Sequence, residues 1–311
     1  PAPQVALAGR VIARNQQREH KRLSLTKGFT GRIHLRLEPH MPAQAQSLVS
    51  DIAGLLAEGR KPAEMVVLVR LYAQTPYLEQ ALIERQIPYR VVGSTPFYRR
   101  PEIEGLLAYL RLAQPGRPAA DFKRLWLQIY NTPKRYLSRT LADAVWRRVE
   151  QGASLPEALR AEAAGAEERV AKRLHELAEV FEWLAGAVAR GTAHAVLEAL
   201  EARLDYRRHL MRSSGFYEVG AGKAEGVRAF LEYARDKGSV GELLGHLERL
   251  AQEHLGDDPT QDTRERVSLM TIFRAKGLEW PLVFIPVCNE GILPYSGSVN
   301  REEESRFFYV A

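Results

Sequence analysis

The sequence lacks features that would place it in several large protein classes. It has a single cysteine, Cys288, which excludes an internal disulfide framework and a cysteine-based zinc site and favours a reducing compartment. Because Cys288 ends an apolar run, we expect a buried, inert thiol. That run, 281–287, is the longest, and it falls far short of the roughly 18 residues of a membrane helix. No segment has the pattern of a signal peptide.

The chain also lacks the motifs of a complete nucleotide hydrolase. GAGK at 220–223 contains a Gly-Lys pair, but Ala224 follows where a Ser or Thr would hold magnesium. We therefore interpret it as a loop. No Asp-Glu pair follows an apolar strand, and the histidines show no metal-ligand spacing. We expect no catalytic residue, no metal site and no nucleotide hydrolysis by this chain alone.

Composition places the chain among globular proteins. Its 311 residues are 45% hydrophobic and 26% charged, and a length of this kind favours two domains. The net charge is 44 − 38 = +6, which is compatible with nucleic acid but weak by itself.

Hydrophobic periodicity predicts an α/β domain. Near-continuous apolar runs at 66–70, 89–93, 267–273 and 281–287 read as buried strands, and 73–86 has helical spacing. Strands buried on both faces are typical of a parallel sheet.

A helical insertion separates the first two strands from the last two. Residues 101–255 are rich in Ala, Leu, Glu and Arg with helical periodicity and no convincing strand. Ser154 with Glu157, and Ser239 with Glu242, have the spacing of capping boxes that begin helices.

The loop after strand 267–273 is the first candidate site, because ligands of open α/β sheets bind at the carboxyl ends of strands. Lys276 offers a cation, Gly277 permits close backbone approach, and Glu279 can accept a hydrogen bond from a sugar hydroxyl. This set suits a nucleotide, although an ordinary polar connection with a turn glycine has the same composition.

Basic residues form two further candidates, each of which fits either phosphate contact or a solvated helix face. The first group is Arg10, Arg14, Arg18, Lys21, Arg22, Lys27 and Arg32. The second group, which begins in the turn NTPKR at 131–135, is Lys134, Arg135, Arg139, Arg147 and Arg148.

Three strings resemble superfamily 1 DNA helicases of the UvrD/PcrA/Rep family. LMTIFRAKGLEWPLVFIPVCNEGILP at 269–294 is similar to motif V and its continuation, and EEESRFFYVA at 302–311 to the opening of motif VI. VVLVRLYAQTPYLEQALIERQIPYRVVGSTPFYRRPEIEGLLAYLRL at 66–112 resembles the segment between motifs IV and V. The order matches over nearly the whole chain.

The resemblance implies a RecA-like 2A motor domain at 1–100 and 261–311, interrupted by a mostly helical 2B domain at 101–260. The phosphate-loop motor domain would be absent, and the arginines of motifs IV and VI would lie just outside the two ends. Since Pro1 is not Met, and since 302–311 reads as the first part of a helix, we expect a portion of a larger protein.

The resemblance also implies roles for individual residues. Lys276, Gly277 and Glu279 would meet ATP, whereas the DNA contacts would be Thr271, Phe273, Arg90, Gly93, Phe97, Lys134 and Arg135.

Two departures from the family stand out. Phe273 replaces the usual His, which would substitute base stacking for an imidazole contact. Tyr136, Leu137 and Ser138 follow NTPKR where family members often have Gly-Ile-Gly, a backbone approach to duplex phosphates.

The resemblance implies that the chain is a fragment of an ATP-dependent DNA helicase with 3′ to 5′ polarity, acting in repair or replication. It would use ATP and Mg²⁺ in the full-length protein, and its partners would be single-stranded DNA, duplex junctions, the absent motor domain and a repair protein. No membrane is implied, and the expected place is the nucleoid of a bacterial cytoplasm. Two alternatives stay open: a DNA- or protein-binding module, and part of a helicase-nuclease subunit.

Overall fold

The computed structural model describes residues 2–16, 30–114, 119–215, 217–255, 266–295 and 301–311. The chain divides into two units: unit 1 comprises Pro1–Pro96 with Thr260–Ala311, and unit 2 comprises Phe97–Pro259. Arg18, Lys21, Arg22 and Lys27 of the first basic group lie outside the described residues, while Arg10 and Arg14 are exposed at the end of the first helix.

Unit 1 is built on a four-stranded parallel sheet, which confirms the predicted α/β class. Its strands are β1 (Met65–Val69), β2 (Tyr89–Val91), β3 (Val267–Thr271) and β4 (Leu282–Phe284). Their order is β2-β3-β1-β4, with Val67 of β1 opposite Leu269 and Phe284. All five residues of β1 are buried, as expected for an apolar central strand.

Helices accompany this sheet. They are α1 (Ala2–Ile12), α2 (Met41–Ala57), α3 (Pro76–Glu84), α13 (Ile272–Ala275) and α14 (Arg301–Val310). The core on one side joins Val66, Leu68 and Met270 to partly buried Trp280 and Phe308. Helix α14 begins with three glutamates, as its sequence predicted.

The predicted strand 267–273 is too long, because the chain changes from strand to helix at Ile272. Ile272 and Ala275 are buried whereas Phe273 and Arg274 are exposed, which is helical spacing and not strand alternation. A short apolar run does not distinguish the two by itself.

The predicted strand 281–287 is likewise shorter, with three residues. Pro281 and Pro286 flank it, and proline cannot donate to a strand ladder. Cys288 beyond it is exposed, so the expectation of a buried thiol was wrong.

Unit 2 is helical in the part of it that the structure describes. Its helices are α4 (Pro101–Leu112), α5 (Ala119–Ile129), α6 (Arg139–Glu150), α7 (Leu155–Ala163), α8 (Glu168–Arg190), α9 (Ala193–Leu204), α10 (Tyr206–Ser213), α11 (Tyr217–Tyr233) and α12 (Val240–Leu255). Both capping boxes are present: Ser154 Nα donates to Glu157 at 2.9 Å, and Ser239 Nα to Glu242 at 2.7 Å.

The GAGK string was interpreted wrongly as a loop, since it lies inside α11. A β-carbon at Gly220 would lie 2.7 Å from Met211 Cα of α10. The glycine therefore permits two helices to approach closely, a packing role that explains it without a phosphate.

Candidate functional site

The carboxyl edge of the sheet brings together three segments that are distant in sequence. Arg70 follows β1, Gly93 follows β2 by two residues, and Thr271 ends β3. Because parallel strands end at one edge, the polar groups that follow them share one surface of unit 1.

The β3 loop, residues 276–280, contains the predicted nucleotide-contacting set. Lys276, Gly277 and Glu279 are all exposed. Gly277 has φ +86°, and a β-carbon there would have no neighbour within 4 Å. The loop is thus turned by a glycine and open on its outer side, which leaves room for a ligand against the backbone.

Thr271 and Phe273 lie just before this loop. Thr271 is the N-cap residue of α13, yet its hydroxyl makes no capping hydrogen bond. The Phe273 ring is 71% exposed and its centroid lies 6.4 Å from that of Phe307. An exposed ring at a strand end has the geometry that base stacking requires.

Gly93 lies at this edge, whereas Arg90 lies within β2, opposite Ser268 of β3. Arg90 Nε donates to Ser268 Oγ at 3.2 Å, and burial together with nearby Arg266 lowers the pKa of Arg90. Gly93 has φ +83°, and a β-carbon there would overlap the guanidinium of Arg274. Gly93 therefore seats the Arg274 side chain against the backbone.

Phe97 does not share this surface. Its side chain is 1% exposed, and its ring contacts Tyr98, Phe230 and Tyr233 in the core of unit 2. The expectation that its ring lies along a DNA track was wrong, because the apolar string around it signals packing equally well.

An ion pair at the same edge of the sheet was not predicted from the sequence motifs. Arg70 donates to Glu304 through Nη2 at 2.7 Å and Nε at 3.0 Å. The Glu304 side chain is only 1% exposed and also accepts from Tyr295 N at 3.1 Å. Arg70 lies 4.6 Å from the Phe307 ring centroid as well. This pair ties the end of β1 to α14.

The sequence marks Arg70 and Glu304 separately but does not indicate that they pair. Arg70 follows an uninterrupted buried strand, and Glu304 is one of three glutamates that helix-dipole reasoning treats alike. The hydrogen bond to Glu304 raises the pKa of Arg70.

The Asn131 loop, residues 130–138, carries the remaining predicted site in unit 2. Arg135 turns inward: its Nη1 donates to the carbonyls of Ile129, Tyr130 and Pro133 at 3.2–3.4 Å. Its Nη2 donates to Tyr109 Oη at 2.8 Å. With both ends of the fork occupied, Arg135 stabilises the loop, and its contact with DNA stays a prediction.

The other basic residues of this group differ. Lys134 is exposed. Arg139 pairs with Asp143 at 3.2 Å, and Arg148 pairs with Glu162. Lys134 is therefore the cation of NTPKR that faces solvent.

The described residues contain neither a candidate metal site nor a candidate membrane span. No group of three or more His, Cys, Asp or Glu side chains there could hold a metal ion. Among those same residues, none of the helices has the length and apolar character needed to cross a membrane.

Comparison with known proteins identifies relatives over almost the whole chain. The sequence model of the UvrD-like helicase C-terminal domain matches residues 4–311. The ATP-dependent DNA helicase UvrD1 of Mycobacterium tuberculosis (strain CDC 1551 / Oshkosh) is 30% identical over 332 residues. The ATP-dependent DNA helicase PcrA of Staphylococcus aureus (strain NCTC 8325 / PS 47) is 27% identical over 320 residues. Each alignment covers 98% of this chain but only 42% of the relative.

Proposed function

Since the chain belongs to the UvrD-like helicase C-terminal domain family, we propose that it forms part of an ATP-dependent DNA helicase. Unit 1 would be the 2A motor domain and unit 2 the 2B insertion. The carrying observation is the carboxyl edge of the sheet, where the β3 loop and the exposed Phe273 lie side by side in the chain. Nucleotide state and DNA contact can therefore be coupled through one short segment.

The nucleotide side of the proposal rests on the β3 loop. Glu279 would accept a hydrogen bond from the ribose or orient a phosphate contact, and Lys276 would add positive charge. Gly277 leaves the outer side of the loop open. ATP would be held between this surface and a phosphate-loop domain, and this chain would provide one wall of the cleft.

Magnesium would be held elsewhere. Within the residues that the structure describes, no cluster of carboxylates could hold it. When bound, the ion neutralises charge on the phosphates.

The DNA side of the proposal rests on Thr271, Phe273, Arg90 and Gly93. The Thr271 hydroxyl is not used in capping and can donate to a phosphate. Phe273 would stack on a base, and Gly93 with Arg90 would shape the floor of the track. Movement with 3′ to 5′ polarity and a role at the bacterial nucleoid belong to the same proposal.

The test is ATP hydrolysis by the full-length protein with and without single-stranded DNA. DNA should stimulate hydrolysis, and Glu279→Gln should raise KM for ATP by about tenfold, because a hydrogen bond to a charged group contributes about 1.5–3 kcal/mol. Glu58→Gln is the matched control, since Glu58 is exposed at the end of α2 that precedes β1.

The isolated chain should not hydrolyse ATP under the same conditions. DNA-stimulated turnover by these 311 residues alone would contradict the proposal. So would an equal change of KM in Glu279→Gln and Glu58→Gln.

A further inference from the structure

The Asn131 loop presents an aromatic ring in a conformation that usually requires glycine. Tyr136 has φ +58° and is 71% exposed. Left-handed backbone is unfavourable for a bulky residue and persists only where the surroundings determine it. The conformation of the loop therefore directs the ring outward.

Asn131 and Arg135 provide that determination. Asn131 Oδ1 accepts from Arg135 N at 3.1 Å and from Leu137 N at 3.0 Å, which brackets Tyr136 on both sides. Asn131 Nδ2 donates to Leu137 O at 2.7 Å. The backbone on either side of Tyr136 is thus fixed, and its ring is presented without a large loss of conformational freedom on binding.

Two cations lie over the ring of Tyr136. Lys134 Nζ lies 4.8 Å and Arg173 Cζ 5.8 Å from its centroid. Within the described part of the chain, neither Lys134 nor Arg173 has a carboxylate partner within 4.0 Å, whereas Asp143 nearby in sequence is already paired with Arg139. The surface around the ring is therefore positive and not neutralised.

We propose that Tyr136, Lys134 and Arg173 form a stacking contact for an unpaired nucleotide of DNA, an inference that rests on the proposed function. The exposed part of the ring can stack on a base, and the two cations over it are placed to meet the adjoining phosphates. The charge favours a polyanion, and the flat exposed ring favours one with exposed bases. A continuous duplex offers no base face, and the projecting ring keeps its backbone away from the loop.

The experiment compares DNA binding by full-length variants on two substrates with one stem sequence: a forked duplex, and a dumbbell duplex closed at both ends. Tyr136→Gly suits the backbone, because glycine adopts positive φ freely, so it removes the ring without straining the loop. It should weaken fork binding between about 5-fold and about 150-fold, the range for loss of one base–aromatic stack. Tyr136→Phe keeps the ring and should stay within about twofold.

The dumbbell separates stacking from general affinity. Tyr136→Gly should leave dumbbell binding unchanged. Equal weakening on both substrates, or unchanged fork binding, would overturn the proposal; the second result is also what an acidic protein ligand at this surface would produce.

The cations are tested by salt dependence. Lys134→Ala and Arg173→Ala should each lower the slope of log affinity against log salt for single-stranded DNA by about 0.7, the value for one lost phosphate contact. Arg249→Ala of α12 is the matched control, since Arg249, like Lys134, is exposed. Equal slopes in all four proteins would overturn the assignment of the cations.

The proposed function has a separate readout in the same preparations. If wild-type protein shows no DNA-stimulated ATP hydrolysis, the proposed helicase function fails. The comparison of fork and dumbbell still decides the role of Tyr136, because it measures binding without ATP.

Discussion

In each unit an arginine beside the candidate surface is held by hydrogen bonds, but its acceptors are charged in unit 1 and neutral in unit 2. Arg70 in unit 1 donates to the carboxylate of Glu304 through Nε and Nη2, one side of its guanidinium. Arg135 in unit 2 donates to three backbone carbonyls and the Tyr109 hydroxyl, which are neutral. The same side chain thus joins two elements through charge in one unit and shapes a loop through neutral acceptors in the other.

The way each loop is shaped decides which of its charged side chains can contact a ligand. The β3 loop gains its shape from Gly277 and needs no anchoring arginine, so its Lys276 and Glu279 face outward. The Asn131 loop has no glycine: the Asn131 side chain brackets Tyr136 at positive φ, and the Arg135 guanidinium donates to carbonyls of the same loop. A basic residue in a motif is therefore a ligand contact only when the loop does not require it.

The largest expected effect on stability comes from breaking the Arg70–Glu304 ion pair. Glu304→Ala should lower the free energy of unfolding of unit 1 by about 3 kcal/mol, because it leaves the Arg70 charge partly buried without its partner. Hydrogen exchange of the β1 amides would measure it. The double variant Arg70→Met/Glu304→Ala should lose less than Glu304→Ala alone; an equal or larger loss would contradict the charge argument.

Loss of the hydrogen bonds from Arg135 to its neutral acceptors should reduce stability somewhat less. Arg135→Ala should lower the free energy of unfolding of unit 2 by about 2 kcal/mol, since it leaves buried acceptors without donors. Lys134→Ala, the adjacent exposed residue, should stay within about 0.5 kcal/mol. Urea unfolding followed by Trp126 and Trp146, both buried in unit 2, would compare them. Similar losses in the two variants would show that Arg135 does not anchor the loop.

The glycine-shaped surface should respond through the backbone. Gly277→Ala should cost about 1 kcal/mol, because alanine is strained at φ +86° although nothing obstructs its side chain. Gly93→Ala should cost more, since its β-carbon would also displace Arg274. Thermal unfolding would rank them. Adding Arg274→Ala should bring the cost of Gly93→Ala down to that of Gly277→Ala, and no such recovery would place the strain elsewhere.

The smallest effect is electrostatic. Burial, and secondarily the charge of Arg135, lowers the pKa of His209 below its usual 6.5. The folded state therefore binds this proton less readily than the unfolded state, and the stability of unit 2 should decrease as pH falls through about 6.5. Arg135→Gln should raise the pKa of His209, and Arg135→Lys should raise it less. NMR titration of His209 measures both, and an unchanged pKa in Arg135→Gln would exclude the charge effect.

Much of the fold could be predicted from the sequence because its signals are local. Continuous apolar runs identified the four parallel strands, although only β1 and β3 are buried along most of their length, and Ser-Glu pairs three residues apart identified two helix starts. The ends of elements were less predictable: Ile272 continues an apolar run but begins a helix.

What the sequence by itself determined was the α/β class, the helical insertion and the family resemblance, since periodicity, caps and motifs depend on neighbouring residues. Tertiary structure alone decided that Arg135 turns inward, that Phe97 is buried, and that Arg70 meets Glu304, 234 positions away. The physical reason is that hydrogen bonds and burial depend on which elements meet in space, and no local pattern encodes the partner of a single arginine.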